Sequence, residues 1–195
     1  MTGLHDDALA VLRRWQPPDG DQAALRDRYV DHLVDHPDGM RRTCYPDHLT
    51  ASTLVLSADR ERVLLTLHAK ARRWFQFGGH CEPGDATLAG AARREAVEES
   101  GITGLRVAAE PLQLSEHAVP FCDPRGAVHH LDVRFLAIAR DDDLPVVSEE
   151  SLDVHWWPVD GLPDDDLASL VGLALQSTSS SGGGSSLAAA DQPSR

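Results

Sequence analysis

The spacing of hydrophobic positions changes along the chain, and each change predicts a different kind of structure. Between residues 4 and 36, apolar side chains recur every three to four residues, which is the spacing of an amphipathic helix. Pro17, Pro18 and Gly20 interrupt the pattern, and Pro37, Asp38 and Gly39 end it. The segment therefore predicts helices at 4–15 and 21–36, and we interpret residues 1–46 as an N-terminal helical extension.

After residue 46 the apolar runs become short and rich in Leu, Val and Thr, as in strands. Runs at 49–56 and 62–68 flank a polar turn and predict a hairpin. Further strands are predicted at 105–108, 112–117, 131–139 and 154–157, and helices at 86–100 and 164–175. This order favours an α/β fold with a mixed sheet sandwiched between helices, because strands and helices do not alternate regularly. We place this domain at residues 47–175, and we expect a flexible tail at 176–195, where Ser, Gly and Ala prevail.

Charge and composition narrow the classes of partner. The formal net charge is −13, so a nucleic-acid polymer or an anionic membrane would be repelled, and a small molecule is the expected ligand. Cys44, Cys81 and Cys122 lack the spacing of a disulfide framework or a zinc motif. Since no segment has the pattern of a signal peptide or a membrane-spanning helix, we expect a cytoplasmic protein with free thiols.

Three carboxylates on one helical face are the most unusual local feature. Glu95, Glu98 and Glu99 fall within an arc of roughly 100° on a helix. Glu95 and Glu99 are like charges four residues apart, which costs about 0.2–0.5 kcal/mol. Glu98 and Glu99 also lie in the last turn before Gly101, where the helix dipole favours cations. A bound divalent cation would reverse both penalties, and oxygen ligands favour Mg²⁺ or Mn²⁺.

The alternative interpretation is a solvated acidic helix face. The neighbouring residues favour a metal site, because Arg94 stands four residues before Glu98 and is close enough to orient a carboxylate. Small alanines at 89, 92 and 96 would let the helix pack closely on a sheet. The preceding loop is rich in glycine, so the backbone carbonyl of Gly79 could also reach the ion.

The segment 78–102 resembles the signature of the Nudix hydrolases, G-x5-E-x7-R-E-U-x-E-E-x-G-U, in which U is aliphatic. The matching positions are Gly79, Arg94, Glu95, Glu98, Glu99, Gly101 and Ile102. Two departures stand out, since Asp85 replaces the first glutamate and the spacer from Asp85 to Arg94 is one residue longer. We interpret them as a paired change that still lets Asp85 reach Arg94.

The resemblance implies a Nudix-type α/β/α sandwich with a mixed sheet. It also implies hydrolysis of a phosphoanhydride bond in a nucleoside diphosphate derivative or a nucleoside triphosphate, with Mg²⁺ or Mn²⁺. The implied metal ligands are Gly79, Glu95, Glu98 and Glu99, while Arg94 would hold the carboxylates in place. The implied catalytic carboxylates include Glu99 and a general base, which is Glu95 or one of Glu149 and Glu150.

Other functions and site residues stay open at this stage. The same fold also suits a non-catalytic nucleotide-binding regulatory module or an isoprenyl-diphosphate isomerase-like enzyme. The role of the extension is also open: it caps the pocket, mediates a homodimer or does neither. His80 follows the glycines and would contact a phosphate or simply pack. The adjacent His129 and His130 do not predict a metal pair, because neighbours on a strand point to opposite faces, and Cys81 has no evident histidine partner for nucleophilic chemistry.

Overall fold

A computed structural model describes residues 3–120, 122–147 and 151–180. Its helices are α1 (Leu4–Arg14), α2 (Gly20–Asp35), α3 (Leu88–Ser100) and α4 (Ala168–Ser180), and a 3-10 turn (Asp165–Leu167) precedes α4. Its strands are β1 (Asp47–Leu56), β2 (Arg62–His68), β3 (Trp74–Phe75), β4 (Phe77–His80), β5 (Gln113–Ala118), β6 (His129–Ile138) and β7 (Ser151–Pro158). Glu149 and Glu150 lie outside the described residues.

The strands form one mixed sheet in the order β3-β2-β1-β6-β5, with β4 paired to β1 and β7 paired to β2. Strands β1 and β6 are parallel over ten residue pairs, from Asp47 opposite His129 to Leu56 opposite Ile138. Strand β1 pairs antiparallel with β2 and with β4, and β5 pairs antiparallel with β6. The predicted mixed sheet is confirmed, and so is the hairpin formed by β1 and β2.

The two faces of the sheet carry different side chains because successive strand residues alternate in direction. On one face, Leu49 and Ala51 of β1 and Leu131 and Val133 of β6 join a core with α1, α2 and α3. On the other face, Leu54 of β1 packs with α4. That second face becomes polar toward the start of β1, where Thr50 and Ser52 both donate hydrogen bonds to buried Asp132.

The N-terminal helices pack on the sheet and share its core. Leu12 of α1 and Tyr29 of α2 are completely buried in the same cluster as Leu49. Gln22 of α2 docks on the backbone of β5, because its side-chain amide donates to the Leu114 carbonyl at 3.0 Å and its amide oxygen accepts from the Leu114 N–H at 2.7 Å. The carboxylate of Asp7 accepts a hydrogen bond from the N–H of Leu88 at 2.8 Å. Helix α1 therefore supplies an acceptor for the first turn of α3.

Most predicted helices and strands are confirmed, with differences in where some of them begin or end. The strand predicted at 62–68 matches β2. The prediction at 105–108 is wrong, because this segment forms only a bridge from Val107 to Ala137, while Leu105 is buried in the core. Its apolar pattern reflects packing and not a hydrogen-bonded ladder. Helix α4 continues to Ser180, five residues beyond the predicted end, and the rest of the predicted tail lies outside the described residues. Within the described ranges, none of the helices combines the length and the apolar character needed to cross a membrane.

Replacement of Asp7 by alanine tests the contact between α1 and α3. Asp7→Ala removes the acceptor for the Leu88 N–H, so we expect the free energy of unfolding to fall by about 0.5–2 kcal/mol, the usual range for a lost helix cap. Asp6→Ala is the matched control, since Asp6 also lies in the first turn of α1 but is exposed. Chemical denaturation should separate the two variants, and equal stability of both would show that the hydrogen bond to Asp7 does not stabilise the fold.

Candidate active site

Two glycines allow β4 to approach both β1 and α3 closely. A Cβ atom at Gly78 would lie 2.6 Å from the Ser52 Cα atom and 2.8 Å from the Ala51 carbonyl oxygen. A Cβ atom at Gly79 would lie 2.7 Å from the Oε2 atom of Glu95. Because Cβ atoms do not come this close to other atoms, only glycine lets the Glu95 carboxylate rest against this backbone.

The caps at both ends of helix α3 and its small residues fix its position on the sheet. The Thr87 side chain accepts a hydrogen bond from the N–H of Gly90 at the start of the helix. Gly101 has a φ of 72° and ends the helix in the left-handed conformation, which glycine adopts readily. Ala92 and Ala96 are completely buried against the sheet, and the Thr53 hydroxyl of β1 donates to the Ala92 carbonyl. This close packing fixes where the acidic face of α3 meets β4.

The guanidinium of Arg94 connects the loop before α3 to the acidic face of the helix. It forms two hydrogen bonds with the Asp85 carboxylate, at 3.1 and 3.0 Å. It also donates to Glu95 at 2.9 Å and to Glu98 at 3.0 Å. A further bond, at 3.0 Å, reaches the backbone carbonyl of His80. One positive charge therefore positions three carboxylates and the strand end that follows the two glycines.

Asp85 reaches Arg94 despite the longer spacer. Its side chain is 7% exposed and accepts a third hydrogen bond, from the N–H of Glu82 at 2.8 Å. Burial alone would raise the pKa of the Asp85 carboxyl, but the hydrogen bonds from Arg94 and from the Glu82 backbone outweigh it, and the net pKa is lowered. These contacts agree with the interpretation of the shorter acid and the longer spacer as a paired change.

The three predicted metal-binding glutamates differ in their surroundings. The side chain of Glu95 is 13% exposed and that of Glu98 is 59% exposed. Glu99 is 9% exposed and accepts a hydrogen bond from the N–H of Gly78 at 3.3 Å. Glu95 and Glu98 both accept hydrogen bonds from the Nη1 atom of Arg94, at 2.9 and 3.0 Å, whereas Glu99 contacts the backbone of β4.

The donor chemistry fits a hard divalent cation. The available ligand atoms are carboxylate oxygens beside a glycine backbone, and Mg²⁺ and Mn²⁺ prefer oxygen ligands. Glu95 and Glu99 are largely removed from water, and like charges in this setting are stabilised by a counter-charge. Arg94 supplies one positive charge for several carboxylates, so an excess of negative charge remains to attract a cation.

Comparison with known proteins agrees with this geometry. The family model described as NUDIX domain matches residues 46–172, which is more than half of the chain. The chain belongs to the Nudix family. No curated protein matches the sequence.

Solved structures that resemble this one are Nudix proteins of low sequence identity. The dihydroneopterin triphosphate pyrophosphohydrolase of E. coli has 17% identity and a TM-score of 0.54, and the match covers 66% of this chain and 95% of that one. An Ap4A hydrolase of C. elegans, solved as a binary complex, has 19% identity and a TM-score of 0.52, with coverage of 69% and 98%. The NUDIX domain of Shewanella oneidensis NrtR, complexed with ADP ribose, has 18% identity and a TM-score of 0.52, with coverage of 76% and 97%. At these identities the similarity shows the fold, and the Nudix fold expected from the sequence is confirmed.

A second group of ligand atoms was not predicted from the sequence. His48, His80, His130 and Cys122 place one ligand atom each within 4.8 Å of one another. The sequence gives no signal for this group, because its three histidines are far apart along the chain. His129 points away from this group and contacts Asp47 at 3.1 Å, so the prediction that His129 and His130 face opposite sides is confirmed.

The imidazoles of this group are held in the neutral form. Burial lowers the pKa of His130 to about 2, helped by the neighbouring His80 and His48. Burial also lowers the pKa of His80, to about 4, again with a contribution from His48. Burial raises the pKa of the adjacent Cys81 thiol to about 12, so this thiol does not provide a nucleophile at neutral pH.

Replacement of Asp85 by asparagine tests its role in the Nudix loop. Asp85→Asn removes a charge-assisted pair with Arg94, so we expect the free energy of unfolding to fall by about 1–3 kcal/mol at neutral pH. Affinity for Mg²⁺, measured by calorimetry, should change far less than in Glu99→Gln. Glu82→Gln is the control, since the Glu82 carboxylate is exposed and lies 3.9 Å from Arg94. An Asp85→Asn protein as stable as the wild type would exclude this role.

The same pair has a defined pH dependence. Because folding lowers the pKa of Asp85, the ionised carboxylate stabilises the folded state above its ordinary pKa of about 3.8. This contribution is lost as the pH falls through the lowered folded-state pKa. The stability difference between wild type and Asp85→Asn should therefore be constant near neutral pH and shrink below about pH 4.

Proposed function

We propose that this Nudix protein is a pyrophosphohydrolase that cleaves the phosphoanhydride bond of a nucleoside diphosphate derivative or a nucleoside triphosphate with Mg²⁺ or Mn²⁺. The observation that supports this most is the network around Arg94. It positions Glu95 and Glu98 and, through the His80 carbonyl, the end of β4. A chain of strongly negative net charge can then bind a polyanionic substrate through cations recruited by its carboxylates.

The proposed ligands of the divalent cation are Glu95, Glu98, Glu99 and the backbone carbonyl of Gly79. When bound, the cation neutralises phosphate oxygens and lowers the pKa of coordinated water. Arg94 keeps the side chains of Glu95 and Glu98 in place through hydrogen bonds of 2.9 and 3.0 Å. The hydrogen bond from the Gly78 N–H orients Glu99 in the same way.

The proton of the attacking water requires a carboxylate as general base. Glu95 is one candidate, because it is mostly buried beside Gly79. Glu150 is the second candidate, by position in the chain before β7, and Glu149 is its neighbour. Either residue would accept the proton and return it to solvent after the bond is cleaved.

Two alternative functions receive less support from the site. A non-catalytic module does not require the full set of carboxylates, yet Glu95, Glu98 and Glu99 are all present and two of them contact the Arg94 guanidinium. An isoprenyl-diphosphate isomerase-like reaction would be expected to use a reactive thiol near the glycine loop. Cys81 occupies that region, but it is buried and its pKa is raised to about 12.

A substrate panel tests the proposed activity. Nucleotide sugars, dinucleotides, nucleoside triphosphates and isoprenyl diphosphates would be assayed with Mg²⁺ or Mn²⁺, together with Ap4A, ADP ribose and dihydroneopterin triphosphate. We expect hydrolysis of at least one phosphoanhydride, and Glu99→Gln should lower kcat/KM by at least about 100-fold. Glu110→Gln is the control, since Glu110 is an exposed acid paired with Arg14. Absence of turnover across the panel, or equal turnover by Glu99→Gln, would reject the enzymatic assignment.

The pH dependence of kcat distinguishes the two candidate bases. Removal of the true base should lower kcat by about 100-fold or more and abolish the acidic limb of the profile, because that limb reports protonation of the base. Glu95→Gln and Glu150→Gln would be compared on the best substrate of the panel. The variant that keeps the acidic limb is not the base, and retention of the limb in both variants would exclude both residues.

A further inference from the structure

We propose that His48, His80, His130 and Cys122 together bind one Zn²⁺ ion in a tetrahedral site that is separate from the acidic residues of the Nudix helix. The four residues come from β1, β4, β6 and the connection between β5 and β6. The acidic residues of α3 are not part of this group of nitrogen and sulfur ligands.

The register of the sheet brings the three histidines onto one face. His48 lies directly opposite His130 in the parallel pairing of β1 with β6. His80 lies opposite Thr50 in the antiparallel pairing of β4 with β1, two residues from His48 and on the same face. Cys122 reaches this face from the loop, which is closed by a hydrogen bond from the Val119 N–H to the Val128 carbonyl at 2.7 Å.

The four side chains surround a small volume, and their ligand atoms all lie within 4.8 Å of one another. The ring centroids of His48, His80 and His130 form a nearly equilateral triangle, with sides of 5.1, 5.0 and 4.9 Å. The Sγ atom of Cys122 is the fourth candidate ligand atom. It lies 4.0, 3.5 and 3.4 Å from the Nε2 atoms of His48, His80 and His130. Tetrahedral Zn²⁺ with ordinary bond lengths separates a sulfur from a nitrogen ligand by about 3.6 Å.

Hydrogen bonding leaves these atoms poorly satisfied without a cation. The Nδ1 atom of His48 lies 3.2 Å from the Cys44 carbonyl, which only accepts, so Nδ1 carries the proton and Nε2 presents a lone pair to the group. A metal-bound histidine usually has this arrangement, with its other ring nitrogen donating to a carbonyl. The single S–H proton of Cys122 can be donated to only one of the three facing nitrogens. A metal ion at the centre would satisfy all four ligand atoms at once.

The ligand types select the ion. Imidazole and thiolate favour Zn²⁺ over Mg²⁺ or Ca²⁺, which prefer oxygen. Four protein ligands fill a tetrahedral coordination sphere, which is typical of structural zinc. Such an ion would tie the connection that carries Cys122 to β1, β4 and β6. It would also fix His80, whose backbone carbonyl accepts a hydrogen bond from Arg94, and so stiffen the strand end next to Gly79.

Cobalt substitution tests this site without requiring any activity. The full-length protein would be freed of metal with a chelator, kept reduced and titrated with Co²⁺. We expect one equivalent to produce the visible bands of tetrahedral Co²⁺ and a near-ultraviolet band for charge transfer from thiolate sulfur to cobalt. Zn²⁺ should displace the cobalt and remove both bands, and one equivalent of Zn²⁺ should raise the Tm.

Variants identify the ligands. Cys122→Ser should abolish the charge-transfer band, and His130→Gln should weaken Co²⁺ binding by more than about 100-fold, beyond the range seen for loss of an outer hydrogen-bond partner. Circular dichroism of the metal-free variants checks that each is folded. If one variant does not fold, the other still tests the proposal. Cys44→Ser and Glu99→Gln should keep both bands, because neither side chain is in the ligand group. A wild-type protein that shows no charge-transfer band, or a band that persists in Cys122→Ser, would overturn the proposal.

Discussion

The hydrogen bonds of Arg94 are the interaction on which the candidate active site depends. A single guanidinium contacts Asp85, Glu95, Glu98 and the His80 carbonyl, so it joins the loop, the helix and the end of β4. Charge-assisted hydrogen bonds of this kind are stronger than neutral ones, and the planar guanidinium fixes the directions in which they point. Without this charge, the neighbouring carboxylates would repel one another, and the loop would lose its attachment to α3.

The close approach of backbones makes this network possible. Ala92 and Ala96 let α3 lie against the sheet, and Gly79 lets the Glu95 carboxylate contact β4. The N-terminal helices contribute to the same arrangement, since Asp7 accepts a hydrogen bond from the first turn of α3. The extension therefore contacts the Nudix helix directly, even though it lies outside the residues matched by the family model.

Strand alternation separates two kinds of chemistry at the end of β4. Gly79 faces α3 and its carboxylates, whereas the His80 side chain faces His48 and His130 on the opposite side. The proposed oxygen ligands of a hard cation thus lie on one face, and the proposed nitrogen and sulfur ligands of a softer cation lie on the other. The two proposed sites therefore involve neighbouring residues of β4, Gly79 and His80.

The sequence by itself determined the local features of this protein. A short run rich in Leu, Val and Thr predicted strand β2, and the order of the elements predicted the mixed sheet. The spacing of Glu95, Glu98 and Glu99 predicted an acidic face ended by Gly101. These features depend on residues within one or two helical turns or along one strand, where geometry is fixed by the backbone. The segment 105–108 shows the limit of such reasoning, since apolar residues that pack into a core have the same pattern as those of a paired strand.

Only the tertiary structure decided which distant residues meet. Cys122 lies 74 positions from His48 and 42 positions from His80, yet strand register brings these side chains together. It also decided that Arg94 holds Asp85 across the longer spacer. Contacts of this kind follow from the pairing of β1 with β4 and β6 and from core packing. Because those pairings join segments far apart in the chain, no local spacing encodes them.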